Sequence, residues 1–401
     1  MRYRWIWMWM AGMLVAGGDA SAQVRVVKGA GQKVGLDWSG LRAAPSPGAA
    51  AFRQVLTDDL SRSGWFAPAP AGQGQVALQG QCDESGGSLA VEIRVVEVAG
   101  ARSLLSKRYP APSVEARRLA HKVADEIVEA VTGRKGMASA RMVIVGNRTR
   151  VKELYLCDAD GTGLMQLTQD RSINLAPRWS PDGRTITYTS YLMKYPDVYT
   201  IDVASGARNR VSKYPGLNTG GALSPSGREM ALVLSKDGNP ELYIRNMSGG
   251  QLTRLTTTPR AAEACPSWSP DGQRIVFVSD QPGTPQLYVV GRDGGRPMRL
   301  TSRGIENVAP CWGRNGWIAF ASRQGARYVL CLVHPDTLEW KQITEADADY
   351  EDPSWAPNGR HLACSRTANY RSAIYLIDTL GDPPVKLIDS NGDWFSPSWS
   401  P

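Results

Sequence analysis

The chain has 401 residues, 42% of them hydrophobic and 21% charged, which is typical of globular proteins and excludes a mainly disordered chain. Its length predicts more than one folding unit, and its 41 Gly and 26 Pro predict many turns and short strands. The formal charge of +8 permits attraction to acidic partners, membranes or nucleic acid, but it decides nothing about the fold.

The first 22 residues have the pattern of a secretory signal peptide. Arg2 and Arg4 supply positive charge, the stretch 5–16 is apolar, and the small residues 20–22 form a cleavage site before Gln23. A membrane anchor is the alternative, but the apolar stretch is shorter than the roughly 20 residues that span a bilayer. We therefore expect an exported chain with no lipid anchor, whose mature form begins at Gln23.

Residues 23–134 predict a small α/β domain. VRVVKG, KVGLDW, VALQGQ and SLAVEIRVVEV have the composition of strands. Apolar residues at helical spacing predict helices over about 48–64 and about 113–132, with Ser113 as an N-cap that lacks a capping box and Gly133 as the stop. Residues 135–140 are then a short linker.

A seven-residue pattern recurs through the rest of the chain at intervals of 43 to 45 residues. The copies are PRWSPDG, GALSPSG, PSWSPDG, PCWGRNG, PSWAPNG and a final PSWSP. After each complete copy come an apolar strand, a turn-rich loop, a second strand and a short strand that often ends in Leu-Thr. This period and order are typical of a four-stranded propeller blade.

Within each copy, the Pro, the Asp or Asn and the Gly are suited to a tight turn between the first two strands of a blade. A large aromatic residue at one place per blade predicts packing between wedge-shaped blades, although a ligand stack is the alternative interpretation. These aromatic residues are Trp179, Trp268, Trp312, Trp355 and Trp399.

The two ends of the repeat region predict how the ring closes. Residues 141–168 supply three strands with no motif before them, whereas the last motif supplies a single strand. Joined together, they make a sixth blade. The predicted fold is an all-β six-bladed β-propeller over 141–401 with a small N-terminal α/β domain.

No catalytic motif is found, which disfavours an exported propeller peptidase, and the sequence contains no nucleophile elbow, P-loop or dinucleotide fingerprint. Asp158 to Gly161 is interpreted as a turn, because the later ligands of a calcium loop are missing. The Cys and His spacing does not fit zinc. We expect buried free thiols, with Cys265 and Cys311 as the one pair that could form a disulfide.

The connections between blades lie around one mouth of the channel and are rich in acidic residues. The loops between second and third strands open on the same side, farther from the axis, and are basic. This arrangement predicts an acidic centre within a basic periphery; ordinary loop solvation is the alternative. The acidic residues are Asp170, Glu263, Glu306, Glu345, Asp347, Asp349, Glu351, Asp352, Asp389 and Asp393. The basic residues are Arg148, Arg150, Lys152, Lys194, Lys236, Arg323, Arg327, Arg366 and Arg371.

This pattern disfavours nucleic acid, since a phosphate backbone requires a continuous basic track. It suits a protein with a basic contact segment or a cation in the channel; no other cofactor and no metal ligand set is indicated. An exported propeller enzyme and a carbohydrate-binding propeller remain the alternatives to a protein-binding scaffold.

The chain resembles the TolB family of periplasmic Tol-Pal proteins. The resemblance rests on the order of parts: signal peptide, VRVVKG, the joining stretch HKVADEIVEAVTGRKGMASARMVIV, the repeated blades, SDQPGTPQLYVV and a terminal PSWSP. It implies a non-enzymatic periplasmic scaffold that acts in outer-membrane integrity and constriction during division. It also implies that the chain contacts membranes only through its partners, and that other envelope proteins are possible further partners.

The resemblance implies two binding sites. A Pal-like lipoprotein would bind the channel mouth, and a TolA-like protein would bind the mature N-terminus. The mouth residues are Asn174, Asn218, Glu263, Arg303, Glu306, Asn307, Tyr350, Glu351, Asp352 and Phe395. The N-terminal residues are Gln23, Val24, Arg25, Val26, Val27 and Lys28.

Overall fold

The computed structural model describes residues 31–388 and 390–401. The predicted signal peptide, the segment 23–28 with its strand VRVVKG, and Asp389 lie outside the described residues. The described chain forms a mixed sheet with two helices, followed by six four-stranded sheets arranged as a propeller, which confirms the predicted fold class.

The front domain is a five-stranded sheet of order β2-β1-β3-β4-β5 with two helices packed on it. Its elements are β1 (Val34–Ala43), α1 (Pro47–Arg62), β2 (Phe66–Pro68), β3 (Val76–Ser85), β4 (Ser88–Glu97), β5 (Arg102–Pro112) and α2 (Ala116–Thr132). Strands β1, β2 and β3 run parallel, while β3, β4 and β5 are antiparallel. Leu56 and Leu60 of α1 and Val123 and Ile127 of α2 are fully buried in one core, as their helical spacing predicts.

The sequence analysis missed two strands of this domain. β2 has only three residues, and β5 includes the polar and basic run SKR, which has little strand signal. The predicted N-cap at Ser113 is also wrong. Ser113 begins a short 3-10 turn, and α2 starts three residues later with Glu115 as its N-cap. Gly133 ends α2 in the left-handed region at φ 66°, as expected.

Each blade is an antiparallel sheet whose first strand lines the channel. Blade 6 uses both ends of the propeller region: β6 (Arg141–Gly146), β7 (Glu153–Asp158), β8 (Met165–Gln166) and β29 (Trp394–Trp399). Blade 1 is β9 (Asn174–Trp179), β10 (Thr185–Ser190), β11 (Asp197–Asp202) and β12 (Arg208–Ser212). Blade 2 is β13 (Asn218–Leu223), β14 (Glu229–Leu234), β15 (Glu241–Asn246) and β16 (Leu252–Arg254). Blade 3 is β17 (Glu263–Trp268), β18 (Arg274–Ser279), β19 (Gln286–Gly291) and β20 (Gly294–Arg299). Blade 4 is β21 (Asn307–Trp312), β22 (Ile318–Gln324), β23 (Arg327–Val333) and β24 (Trp340–Gln342). Blade 5 is β25 (Asp349–Trp355), β26 (His361–Ala368), β27 (Arg371–Asp378) and β28 (Val385–Lys386).

The C-terminal strand closes the ring as the sequence predicts. β29 pairs antiparallel with β6, with Trp394 opposite Gly146 and Trp399 opposite Met142. Just beyond this ladder, the Ser400 amide donates to the Arg141 carbonyl at 2.8 Å. The ring is therefore held by hydrogen bonds between its two ends.

The repeated motif forms the predicted turn. In blade 1, the Gly183 amide donates to the Ser180 carbonyl at 3.0 Å with Gly183 at φ 68°. The Asp182 carboxylate accepts from the Ser180 hydroxyl at 2.5 Å, which fixes the turn from within. The predicted tryptophan packing is also confirmed, since Trp268 lies in one cluster with side chains of blades 2 and 3.

The front domain packs against one face of the propeller. Arg117 of α2 forms an ion pair with Asp160 at 2.6 Å, and the Arg360 guanidinium lies 4.5 Å from the centre of the Trp65 ring. Asp160 lies in the turn between β7 and β8, and Arg360 follows the repeated turn of blade 5. We call this side, with its repeated turns, the turn face. The opposite side, which carries the connections between blades, is the loop face.

Candidate partner-binding face

Five of the ten predicted acidic residues of the loop face form ion pairs, four of them with predicted basic residues and one with Arg208. These pairs neutralise one another, so the acidic centre and basic periphery are interleaved rather than separate. The pairs are Glu306 with Arg323 at 3.0 Å, Asp347 with Arg366 at 2.6 Å, Asp349 with Arg327 at 2.7 Å, Asp393 with Arg371 at 3.2 Å, and Asp170 with Arg208.

A repeated group of three polar side chains joins neighbouring blades at this face. Between blades 3 and 4, the Asn307 amide donates to Gln286 Oε1 at 2.8 Å and to the Arg303 carbonyl at 2.8 Å. The Thr301 hydroxyl donates to the same Gln286 oxygen at 2.8 Å and accepts from the Leu287 amide at 2.9 Å. We call this group of Gln286, Thr301 and Asn307, and its equivalents, the latch. The position of Thr301 in this group explains why Leu-Thr often follows the fourth strand of a blade.

The latch recurs between blades 6 and 1, where Asn174 donates to Glu153 Oε2 at 2.8 Å and Thr168 donates to the same atom at 2.5 Å. Between blades 1 and 2, Asn218 Oδ1 accepts from the Ser212 hydroxyl at 2.8 Å, and its amide donates to the Tyr214 carbonyl at 2.7 Å. All three asparagines are fully buried. The structure thus places them inside the junctions rather than on the surface.

Glu263 occupies the equivalent position between blades 2 and 3. It is buried, and the Thr258 hydroxyl donates to its Oε1 at 3.2 Å. Burial raises the pKa of Glu263 to about 7, and nearby Glu241 and Asp280 add to the rise. Tyr350, one blade beyond Asn307, is buried as well and donates to Asp347 at 2.9 Å.

Of the other five predicted mouth residues, one is exposed and four are half-buried. Arg303 is exposed, and Glu306 accepts from the Tyr328 hydroxyl at 2.6 Å. Burial raises the pKa of Glu351. Asp352 accepts from the Ser396 hydroxyl at 2.6 Å, and Phe395 lies beneath Lys152, whose Nζ is 4.6 Å from the ring centre. These five side chains are available for direct contact with a partner.

The sequence analysis missed an exposed apolar group on the same face, next to blade 1. Leu192, Met193 and Tyr195 lie in the loop between β10 and β11 and are 42%, 54% and 70% exposed. Ile173, 44% exposed, lies beside this loop, because the Tyr191 amide donates to its carbonyl at 3.0 Å. Three apolar residues in a turn-rich loop, SYLMKYP, were the available signal. We call Ile173, Leu192, Met193 and Tyr195 the apolar group.

Each inner strand has a bulge where its backbone faces the channel. One residue per blade adopts a positive φ at this point, and five of the six are not glycine. These residues are Ala176, Gly220, Cys265, Ala309, Asp352 and Ser396. All six cysteines are free, so Cys265 and Cys311 are two separate thiols. Among residues 31–388 and 390–401, no group of three or more His, Cys, Asp or Glu side chains could hold a metal ion.

A family model described as the TolB beta propeller domain matches residues 128–401, which is more than half of the chain. The chain belongs to the TolB family. The structure is also similar to the crystal structure of TolB from Acinetobacter baumannii, with a TM-score of 0.82 and 25% identity. That match covers 92% of this chain and 97% of the other, and so includes the front domain.

Curated TolB relatives match over shorter stretches. The TolB homologue of Chlorobaculum tepidum is 33% identical over 55% of this chain and 50% of its own length. The Tol-Pal system protein TolB of Desulfosudis oleivorans is 32% identical over 45% of this chain and 41% of its own. The chain therefore aligns with half or less of the length of these relatives. In the described part of this TolB homologue, no helix is long and apolar enough to cross a membrane.

Proposed function

We propose that this chain is a non-enzymatic periplasmic scaffold of a Tol-Pal system. In this proposal the loop face binds a Pal-like lipoprotein, and residues 23–28 bind a TolA-like protein. The scaffold then acts in outer-membrane integrity and in constriction during division. The relative from Desulfosudis oleivorans, which is named a Tol-Pal system protein, supports the assignment.

The position of the front domain supports the proposal that the partner binds at the loop face. Arg117, Trp65 and Lys33 all contact the propeller through residues of the turn face, namely Asp160, Arg360 and Asp382. The described part of the front domain therefore leaves the loop face open. A partner can approach the channel mouth without any movement of the front domain.

The surface chemistry of the loop face supports a protein partner. The apolar group supplies side chains suited to anchor an interface, and the ion pairs of the other blades on this face supply polar contacts. Because Asn174, Asn218, Glu263, Asn307 and Tyr350 are buried, they would act by shaping the mouth. Direct contacts would come from Arg303, Glu306, Glu351, Asp352, Phe395 and the apolar group.

The loop-face proposal is tested by calorimetric titration with the soluble domain of the Pal-like lipoprotein from the same genome. We expect Met193→Asp to weaken binding at least about tenfold, as substitution of an interface anchor does. Met298→Asp is the matched control, because Met298 is 49% exposed on the outer strand of blade 3. Equal affinities for both variants, or no binding by the unaltered chain, would contradict the proposal.

The N-terminal site is tested separately. We expect a chain in which residues 23–28 are replaced by Gly and Ser to lose binding to the TolA-like protein in a pull-down. The same chain should keep its affinity for the Pal-like lipoprotein, because the loop face is unchanged. If TolA-like binding persists, the proposed N-terminal site is wrong even if the loop-face proposal holds.

A further inference from the structure

The turn face opens into a funnel on the channel axis, distinct from the proposed partner-binding face. Its cavity of about 570 Å³ is lined by residues of all six inner strands and by no residue of the front domain. Such a volume suits a small ligand or the end of a peptide. The walls are formed by the five motif tryptophans and by turn prolines such as Pro181, Pro225 and Pro270. Among the lining side chains, Arg178 and Arg314 are charged, and none is a carboxylate.

A ring of six side chains, each one residue before the motif aromatic position, forms the inner end of the funnel. The ring consists of Arg178, Ala222, Ser267, Cys311, Ser354 and Ser398. The serine hydroxyls accept hydrogen bonds from the backbone amides of the next blade: Trp312 to Ser267 at 3.0 Å, Trp399 to Ser354 at 3.1 Å, and Trp179 to Ser398 at 3.4 Å.

These bonds use the serine oxygens as acceptors and leave the hydroxyl hydrogens available as donors. No hydrogen bond donated by the hydroxyls of Ser267, Ser354 or Ser398 is found within the described residues. The ring therefore offers mainly hydrogen-bond donors, which suit a ligand group that accepts hydrogen bonds.

Arg178 is the one charged member of this ring. Arg178 is half-buried as a whole residue, and its guanidinium has no ion-pair or hydrogen-bond partner among residues 31–388 and 390–401. It borders both the funnel and a second cavity of about 90 Å³ deeper in the channel. Asp352 lines that second cavity, but its carboxylate is engaged by Ser396 at 2.6 Å.

A half-buried arginine without a partner has lost part of its hydration and has not gained an anion in exchange. Its planar fork of donors matches the two oxygens of a carboxylate. The surrounding tryptophan and proline side chains strengthen such a charge interaction, because they exclude water. We propose that the funnel binds a carboxylate carried on an apolar or aromatic body, with Arg178 holding the carboxylate and the motif tryptophans contacting the body.

The test is calorimetric titration of the mature chain with acetyl-Ala-Ala-Phe as the free acid, with the same tripeptide as its C-terminal amide, and with N-acetylphenylalanine. We expect saturable binding of the free acid and at least about tenfold weaker binding of the amide, because the amide has no charge for Arg178 to hold. Tighter binding of the tripeptide than of N-acetylphenylalanine would identify a peptide tail as the natural ligand. Equal binding would identify a free acid.

Variants separate Arg178 from other charges on the turn face. Arg178→Met should remove the preference for the free acid, and Arg178→Lys should restore it in part. Arg184→Met, an exposed residue of the same turn in blade 1, should bind like the unaltered chain. All three should keep their melting temperature, since Arg178 has no partner to lose. The proposal is overturned if Arg178→Met keeps the preference, if acid and amide bind equally, or if nothing binds up to about 10 mM.

Discussion

The junction between blades 3 and 4 and the junction between blades 5 and 6 are held in different ways at the same place in the ring. In the first, Asn307 is fully buried, and its amide donates one hydrogen bond to Gln286 of blade 3 and one to the carbonyl of Arg303 in the connection between the blades. In the second, Trp394 takes the same position and packs in one core cluster with Ile374 and Leu376 of blade 5. The position therefore accepts either a satisfied polar group or an apolar ring.

The junction between blades 2 and 3 fits neither type. Glu263 is as buried as Asn307, but it is a carboxylic acid and its neighbour Glu241 is a second one. The Arg254 guanidinium and the Thr258 amide donate to Glu241 at 2.9 and 2.6 Å, whereas Glu263 accepts a longer hydrogen bond of 3.2 Å from the Thr258 hydroxyl. Asn307 and Trp394 thus fill this position with a neutral side chain, whereas the stability of the Glu263 junction depends on the protonation of its carboxylic acid.

The largest expected effect is on ring closure. Deletion of residues 392–401 removes β29 and with it both Trp394 and Trp399, so blade 6 loses its inner strand. We expect the melting temperature to fall by on the order of 10 °C or more, because two buried aromatic side chains are lost with the strand ladder. Deletion of Pro401 alone is the control, since β29 stays intact. Equal melting of the three chains in calorimetry would contradict closure by the C-terminal strand.

Trp394→Ala tests the apolar junction alone. Trp394 is fully buried, and Gly146 opposite it leaves space that the ring fills. We expect a loss of about 4 kcal/mol in the free energy of unfolding, measured with urea, because the cavity cannot collapse between two rigid strands. Trp394→Phe should lose less than half as much. A loss below about 1 kcal/mol for the alanine variant would show that the junction does not depend on this ring.

Asn307→Asp would convert the satisfied junction into one that resembles the Glu263 junction. A charged aspartate can donate neither hydrogen bond, and it would face the carbonyl of Arg303 and the oxygen of Gln286. We expect a loss of about 3 kcal/mol at pH 8 that becomes smaller toward pH 5, because burial raises the pKa of the aspartate and its protonated form can donate once. Urea unfolding at both pH values measures the difference, and a loss that does not vary with pH would contradict this account.

The six-bladed ring is predictable from the sequence because the same motif and the same order of strands recur in successive blades. Five motif turns, the spacing of the strands and the incomplete last copy all constrain one architecture. The sequence could not predict which mouth residues are buried, because an acidic or amide side chain at the start of an inner strand gives the same pattern whether it faces solvent or a neighbouring blade. Asn174 and Asn307 are predicted contact residues, and in the structure each donates to a side chain of the preceding blade. Met193 lacked a repeated counterpart and was overlooked.

The smallest expected effect is Glu263→Gln, and its sign depends on pH. The pKa of Glu263 is about 7 in the folded chain, against an ordinary value of 4.5. Between these values the folded chain binds one more proton than the unfolded chain at this site, so this group's contribution to stability falls as pH rises from about 4.5 to about 7.

Glutamine stays neutral and can still accept from Thr258, as Glu263 does at 3.2 Å. We therefore expect Glu263→Gln to be more stable than the unaltered chain by about 2 kcal/mol at pH 8 and nearly equal to it at pH 4.5. Asp271→Asn, an exposed carboxylate in the repeated turn of blade 3, is the control and should show no such gain above pH 7. If Glu263→Gln and the unaltered chain lose stability in parallel as pH rises, Glu263 is ionised in the folded chain. The junction between blades 2 and 3 would then hold two charged carboxylates. Arg254 would balance Glu241, and Glu263 would need a counter-charge from a bound partner or ion at the loop face.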